Sequence, residues 1–321
     1  MSTHRIAAAV LALSCAAGAH AASFPSKMIH LVVPFPPGGV ADLVTRTVGQ
    51  KVAQDIGQPV VVDNKPGASG IIGAEHVARA APDGYTLLVA NLPVMSINEL
   101  QYSDLPYSAS RDFTPVVMLA DQPYIIAAKP GLPVTDLAAF TRLAKQKPGA
   151  LTFGSASSST YLAGELFNAR AGTRMTHVPY KGSAPAINDL LGGHIDLLLD
   201  PVITLLPHAR AGKIQALAVT SPTRIEIAPE IPTYKEAGLE GLDITSWQGI
   251  VAPAATPREV VETLNAAFNR ALKSPEVAAR LKEQGVSVKG GSAAQFAAFV
   301  EAENQRWAKL AREVGFQPTK R

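Results

Sequence analysis

The sequence predicts an α/β protein of two domains, and three observations carry that expectation. Short apolar stretches alternate repeatedly with amphipathic ones, the pattern of strands covered by helices. Proline and glycine clusters punctuate most junctions between them. The chain has 321 residues and 47% hydrophobic content, enough for two domains of ordinary size.

Taken in order, residues 28–33 (MIHLVV) read as a buried strand and residues 41–56 as a helix closed by Gly57. Residues 59–63 (PVVVD) read as a strand, followed by a turn at Asn64, Lys65, Pro66 and Gly67. A helix over residues 71–81, a turn at Pro82, Asp83 and Gly84, and a strand over residues 85–90 (YTLLVA) complete a first unit with a parallel sheet. The middle repeats the alternation. Strands are expected at residues 124–128, 151–154, 175–179, 195–199 and 216–220, and helices at 137–146, 161–171, 185–191 and 203–211. From Pro257 onward the chain reads as helical over 259–274, 275–284 and 293–314, and helices so late in the chain must pack on an earlier sheet. The chain is therefore expected to leave a first lobe near residues 121–124 and to return near 221–232. That gives one lobe of residues 22–123 with 227–321 and another of residues 124–226.

The first residues carry an export signal. Arg5 supplies a positive charge, residues 6–13 are apolar, and Ala19 and Ala21 are small residues at the positions a signal peptidase reads. Cleavage near Ala21 and a periplasmic location follow. No later stretch approaches the ~20 apolar residues of a membrane span. Cys15, the single cysteine, falls inside the expected leader, so neither a disulfide nor a cysteine metal site is expected. Lipidation of Cys15 is the alternative, and Ala12, Leu13 and Ser14 before it suit that poorly.

Charge excludes one class of partner. With 29 basic and 26 acidic residues scattered along the chain and a net charge of +3, there is no footprint for nucleic acid. Catalytic signatures are absent as well. His30, His76, His177, His194 and His208 show no zinc spacing, and Gly154-Ser155-Ala156-Ser157-Ser158 lacks the last glycine of a nucleophile elbow. Gly67-Ala68-Ser69-Gly70 lacks a phosphate-loop lysine. No enzyme, no cofactor and no metal are expected.

Three junctions carry unusual chemistry. In LVVPFPPGGVADLV, Pro36 and Pro37 stiffen the entry to a helix whose start is stripped of side chains at Gly38 and Gly39, so backbone N–H groups can approach an anion. An ordinary tight turn is the alternative. In FGSASSSTYLAGELF, Ser157, Ser158, Ser159 and Thr160 crowd a helix start, more hydroxyls than an N-cap requires. In HVPYKGSAPA, Tyr180 and Lys181 precede a helix that Ser183 can cap and Pro185 can open. If these starts face one cleft, a carboxylate can be gripped without an arginine, and the cleft can close by hinge motion at the crossovers.

Five strings, PFPPGGVAD, NKPGASGIIGAEHVARAAPDGYTLL, TYLAGELF, HVPYKGSAPAINDLLGGHID and IPTYKEAGLEGL, resemble in order and spacing those of the Bug-type solute receptors of tripartite tricarboxylate transporters. The resemblance spans essentially the whole chain after the leader. It implies a two-lobed periplasmic binding fold of the type II, Venus-flytrap kind. The implied ligand is a small carboxylate: a di- or tricarboxylate, an acidic amino acid or an aromatic acid. The implied partners are the membrane subunits of such a transporter, served by a monomeric receptor. The implied ligand-binding residues are Phe35, Gly38, Gly39, Asp42, Asn91, Ser155, Ser159, Thr160, Tyr180 and Asp200. Asp42 has the alternative of stabilising its own helix, and Asp200 that of orienting loop amides. One segment departs from the family pattern: Leu92, Pro93, Val94 and Met95 follow Asn91 where small polar residues are usual, and Glu99 replaces a proline after Asn98. That departure leans toward a less polar acid. A receptor that signals to a membrane kinase, and more remotely an exported hydrolase, are the competing readings.

Overall fold

The computed structural model describes residues 24–320, so the expected leader, its cleavage site and Cys15 lie outside the described residues. Its centre is a ten-stranded sheet in the order β2-β1-β3-β9-β4-β7-β5-β6, with β8 and β10 also paired to β4. β1 (Ile29–Val33) runs parallel to β2 (Val60–Asn64) and β3 (Thr86–Asn91). Its side chains alternate between two cores. Ile29, Leu31 and Val33 meet α1 (Val40–Ile56), and Val32 meets α2 (Ile71–Ala78) on the other face. A strand covered on both faces reads as an unbroken apolar run, and MIHLVV has that character.

α1 buries Val44, Val48 and Val52 at helical spacing and ends at Gly57 in the left-handed conformation. After β3 comes a π-helical turn over Pro93–Ile97, then the short helices α3 (Asn98–Gln101) and α4 (Ala109–Asp112). β4 (Phe113–Ala128) follows, sixteen residues long. Its first part, Phe113 to Pro123, pairs antiparallel with β9 (Thr245–Pro253), and its second, Tyr124 to Ala128, pairs antiparallel with β7 (Leu197–Pro201) and β8 (Gln215–Val219). Beyond β7 the sheet is parallel again, through β5 (Thr152–Ser155) and β6 (Thr176–Pro179).

The sheet is therefore mixed, and the expectation of a parallel one is corrected. β9 and the first part of β4 carry no clean alternation, and Pro115 interrupts β4 at a register shift. A proline in a sheet is tolerated at such a bulge, and that is what hides the strand from a reading of periodicity.

The second part of the sheet is covered by α5 (Leu137–Gln146), α6 (Ser158–Ala171), α7 (Ser183–Leu191) and α8 (Val202–Arg210). Late helices return to the first part as expected. α9 (Arg258–Leu272) and α10 (Pro275–Lys282) join the α1 side, and between α10 and the last helix the two-residue β10 (Ser287–Val288) pairs with β4. α11 (Ala293–Glu313) lays Phe296, Val300 and Trp307 on the other side, with the Trp247 ring edge-on to Phe296 and Phe299. Among the described residues no helix is long and apolar enough to cross a membrane.

Candidate functional site

A cavity lies at the carboxyl ends of β1, β5, β6 and β7, where the chain turns into α1, α6, α7 and α8. In open α/β sheets this is where ligands settle, because the first N–H groups of each helix have no intrahelical partner. At α1 and α7 those groups are unclaimed by side-chain caps, whereas in the first turn of α8 Gln122 Oε1 accepts the Ile203 N–H at 2.8 Å. Gly39, Gly182 and Pro201 stand at the N-caps of α1, α7 and α8, and all three line the cavity. Gly39 has φ −81° and ψ 170°, and Gly38 before it takes a positive φ of 83° that glycine adopts without strain. The cavity space open to the centre of a water-sized sphere is about 60 Å³, against the ~10–15 Å³ that admits one water.

Phe35, Gly39, Asn91, Ser159, Thr160 and Asp200, all expected from sequence, line this cavity; Gly38, Asp42, Ser155 and Tyr180 do not. Each of the outlying four has a structural engagement. Asp42 accepts the Gly38 N–H (3.1 Å), Arg46 Nε (2.9 Å) and Asn64 Nδ2 (3.0 Å), while Asn64 Nδ2 also donates to the Phe35 carbonyl (3.0 Å). Burial works to raise the Asp42 pKa, but Arg46, Gly38 and Asn64 together hold it below the ordinary carboxylate value. Asp42 thus shapes the PFPPGG loop from behind. Ser155 Oγ lies 2.6 Å from His177 Nε2, and the imidazole packs between Phe153 and Tyr161, where burial keeps its pKa low. Tyr180 donates to Asp189 Oδ2 at 2.6 Å, and burial followed by that carboxylate pushes its pKa up to about 12.

The four consecutive hydroxyls divide their work. Ser157 and Thr160 form a capping box, and Thr160 Oγ1 also accepts the N–H groups of Ala156 (2.8 Å) and Ser157 (3.0 Å). Ser158 donates to Asn98 Oδ1 at 2.7 Å, tying α6 to the helix after the π-turn. Ser159 sits 3.0 Å from Ser157 Oγ and 3.5 Å from the Tyr124 hydroxyl on the cavity wall.

No lysine, arginine or histidine lines the cavity among the described residues. Its one ionisable carboxyl is Asp200 at the end of β7, fully buried, accepting Ser183 Oγ (3.0 Å) and Thr204 Oγ1 (2.6 Å). Burial pushes its pKa up to about 7, against the two hydroxyl hydrogen bonds. Leu92 and Pro93 line one wall, whereas Val94 and Met95 turn into the core and Glu99 accepts the Ala109 N–H, so only half of the apolar departure seen in the sequence reaches the cavity.

Sequence reading missed Tyr124, Ser246, Trp247 and Gln248 as cavity-lining residues, and assigned Ser183 only a cap. A signal was present: Ser246 and Gln248 put two polar groups at strand spacing inside an otherwise apolar run. Among the described residues no group of three His, Cys, Asp or Glu side chains could hold a metal ion.

A mixed sheet crossed by β4, with helix starts closing on a cation-free cavity, defines a two-lobed solute-binding protein of the periplasmic binding class. Residues 44–316 match the model of the tripartite tricarboxylate transporter family receptor, TctC, and the chain belongs to that family. It is 35% identical over 303 residues to BugT of Bordetella pertussis, covering 94% of this chain and 93% of BugT. Among solved structures it is similar to R. palustris Rpa4515 with adipate, at TM-score 0.90 and 37% identity over 92% of this chain and 100% of that one. It is also similar to MatC from Rhodopseudomonas palustris with bound malate, at TM-score 0.85 and 34% identity over 89% and 99%. The resemblance to Bug-type receptors holds, and the family is one of transporter receptors rather than of enzymes.

Proposed function

We propose that the chain is an extracytoplasmic receptor, exported by its leader and cleaved near Ala21. It binds a small carboxylate in the cleft and delivers it to the membrane subunits of a tripartite tricarboxylate transporter. The observation that carries this reading is the convergence of the helix starts at Gly39 and Gly182, neither capped by a side chain, on a cavity that no basic residue lines among the described residues. Unpaired N–H groups and the positive ends of helix dipoles favour an anion there. Relatives with adipate and malate bound support a carboxylate as that anion. Phe35, Gly39, Asn91, Ser159 and Asp200 are assigned to the ligand, with Gly38 and Asp42 shaping the first loop, Thr160 holding the start of α6 at the cavity wall, and Ser155 and Tyr180 supporting the second and third loops. One lobe comprises residues 22–123 with the C-terminal helices, and the other begins at 124. It ends at 226, with residues 227–321 returning to the first lobe.

The test is a melting-temperature titration of refolded, ligand-stripped protein against mono-, di- and tricarboxylates. A ligand that binds only the folded state raises the transition by mass action, about 2.7 kcal/mol at a hundred times its Kd. A saturable rise is expected for one acid class and its loss in Gly39→Val, whose backbone angles suit any residue and whose new Cβ meets only the Pro36 carbonyl at 3.7 Å before entering the cavity. No rise with any carboxylate refutes the reading.

A further inference from the structure

The cavity wall opposite the helix starts carries a pair of amides that a simple carboxylate does not use. Gln248 on β9 stands directly opposite Asn91 on β3 in the antiparallel ladder, so the two side chains share one face of the sheet, and both line the cavity. Their hydrogen bonds leave a complementary remainder. Asn91 Oδ1 accepts the Val94 N–H at 3.2 Å, and its Nδ2 has no partner among the described residues. Gln248 Nε2 donates to Ser246 Oγ at 3.1 Å. Gln248 Oε1 is left buried without a partner, in a residue only 1% exposed. Trp247 Nε1 is also unpartnered, but that ring packs edge-on against Phe296 and Phe299 of α11, and successive strand residues face opposite sides.

A buried acceptor beside a free donor is complete only when a ligand group supplies both a hydrogen and a lone pair. A second carboxylate offers lone pairs alone and leaves Oε1 unpaired. A hydroxyl matches both. The geometry points to a specificity device: Asn91 and Gln248 read a hydroxyl carried by the acid, so that hydroxy acids are selected over the corresponding unsubstituted acids. This rests on the carboxylate reading above and narrows its substrate class.

The experiment is calorimetric titration of the refolded, ligand-stripped protein with matched pairs, malate against succinate and 3-hydroxybutyrate against butyrate. In at least one pair the hydroxylated acid is expected to bind about tenfold tighter or more, because a site built to bond a hydroxyl rejects the analogue that lacks one. In Gln248→Leu the loss is expected to fall on the hydroxylated member and to close that gap. Carboxylate binding without preference in either wild-type pair overturns this inference and leaves the receptor reading standing. A preference that survives intact in folded Gln248→Leu also overturns it. If none of the four acids nor any other carboxylate binds, both readings fall together.

Discussion

Asp200 is a carboxyl facing a cavity that we assign to carboxylates, and its protonation decides whether the two repel. Burial raises its pKa from 3.8 to about 7, so the folded protein holds this proton over a pH range in which the unfolded chain has released it. For a raised acid the sign is definite: stability from this group is greatest below pH 4 and declines as pH rises from about 4 to about 7. Above pH 7 the ionised group opposes an anionic ligand, and with one linked proton the affinity is expected to fall by up to about tenfold per pH unit. Isothermal titrations from pH 5 to 9 check this. Asp200→Asn is expected to flatten the alkaline fall, and an unchanged profile in that variant would remove Asp200 from the account.

At the level of elements, the start of α6 separates capping from binding more sharply than its run of hydroxyls implies. Thr160 Oγ1 serves the N–H groups of Ala156 and Ser157 and completes the capping box, whereas Ser159 Oγ reaches Tyr124 along the cavity wall. Thr160→Ala is therefore expected to cost about 1 kcal/mol of stability in urea unfolding, the usual loss of an N-cap. Ser159→Ala is expected to leave the unfolding midpoint within experimental error and to weaken ligand binding. The opposite assignment of effects would show that Ser159 holds the helix and Thr160 the ligand.

Across the whole molecule, two of the loops that border the cavity come from distant parts of the chain and nearly touch. A Cβ built on Gly182, which has a φ of 135°, would lie 3.1 Å from Pro36 Cγ and 3.2 Å from Cδ. Glycine at the start of α7 thus lets the two loops approach, while Thr220 joins the strands where the chain crosses, accepting the Tyr124 N–H and donating to the Ile244 carbonyl. Gly182→Ala is expected to hold the loops apart. Small-angle scattering should then show a smaller ligand-induced compaction than in the wild type, with affinity reduced about tenfold or more; full compaction would show that the contact does not limit closure.

The sequence by itself determined the strands buried on both faces, the helices with an apolar stripe, the turns at glycine and proline, and the loop PFPPGG with its bare helix start. Each is written in neighbouring residues, through side-chain period, backbone freedom and local hydrogen bonding, and so survives without knowledge of the rest of the chain. Only the tertiary structure decided that β9 and the long β4 enter antiparallel, that Ser246 and Gln248 join Asn91 at one wall, and that Asp42, Ser155 and Tyr180 support loops from outside the cavity. Strand register, burial and the partner of a polar atom are set by residues up to a hundred or more positions away, as with Asn91 and Gln248, and no local pattern encodes such a meeting.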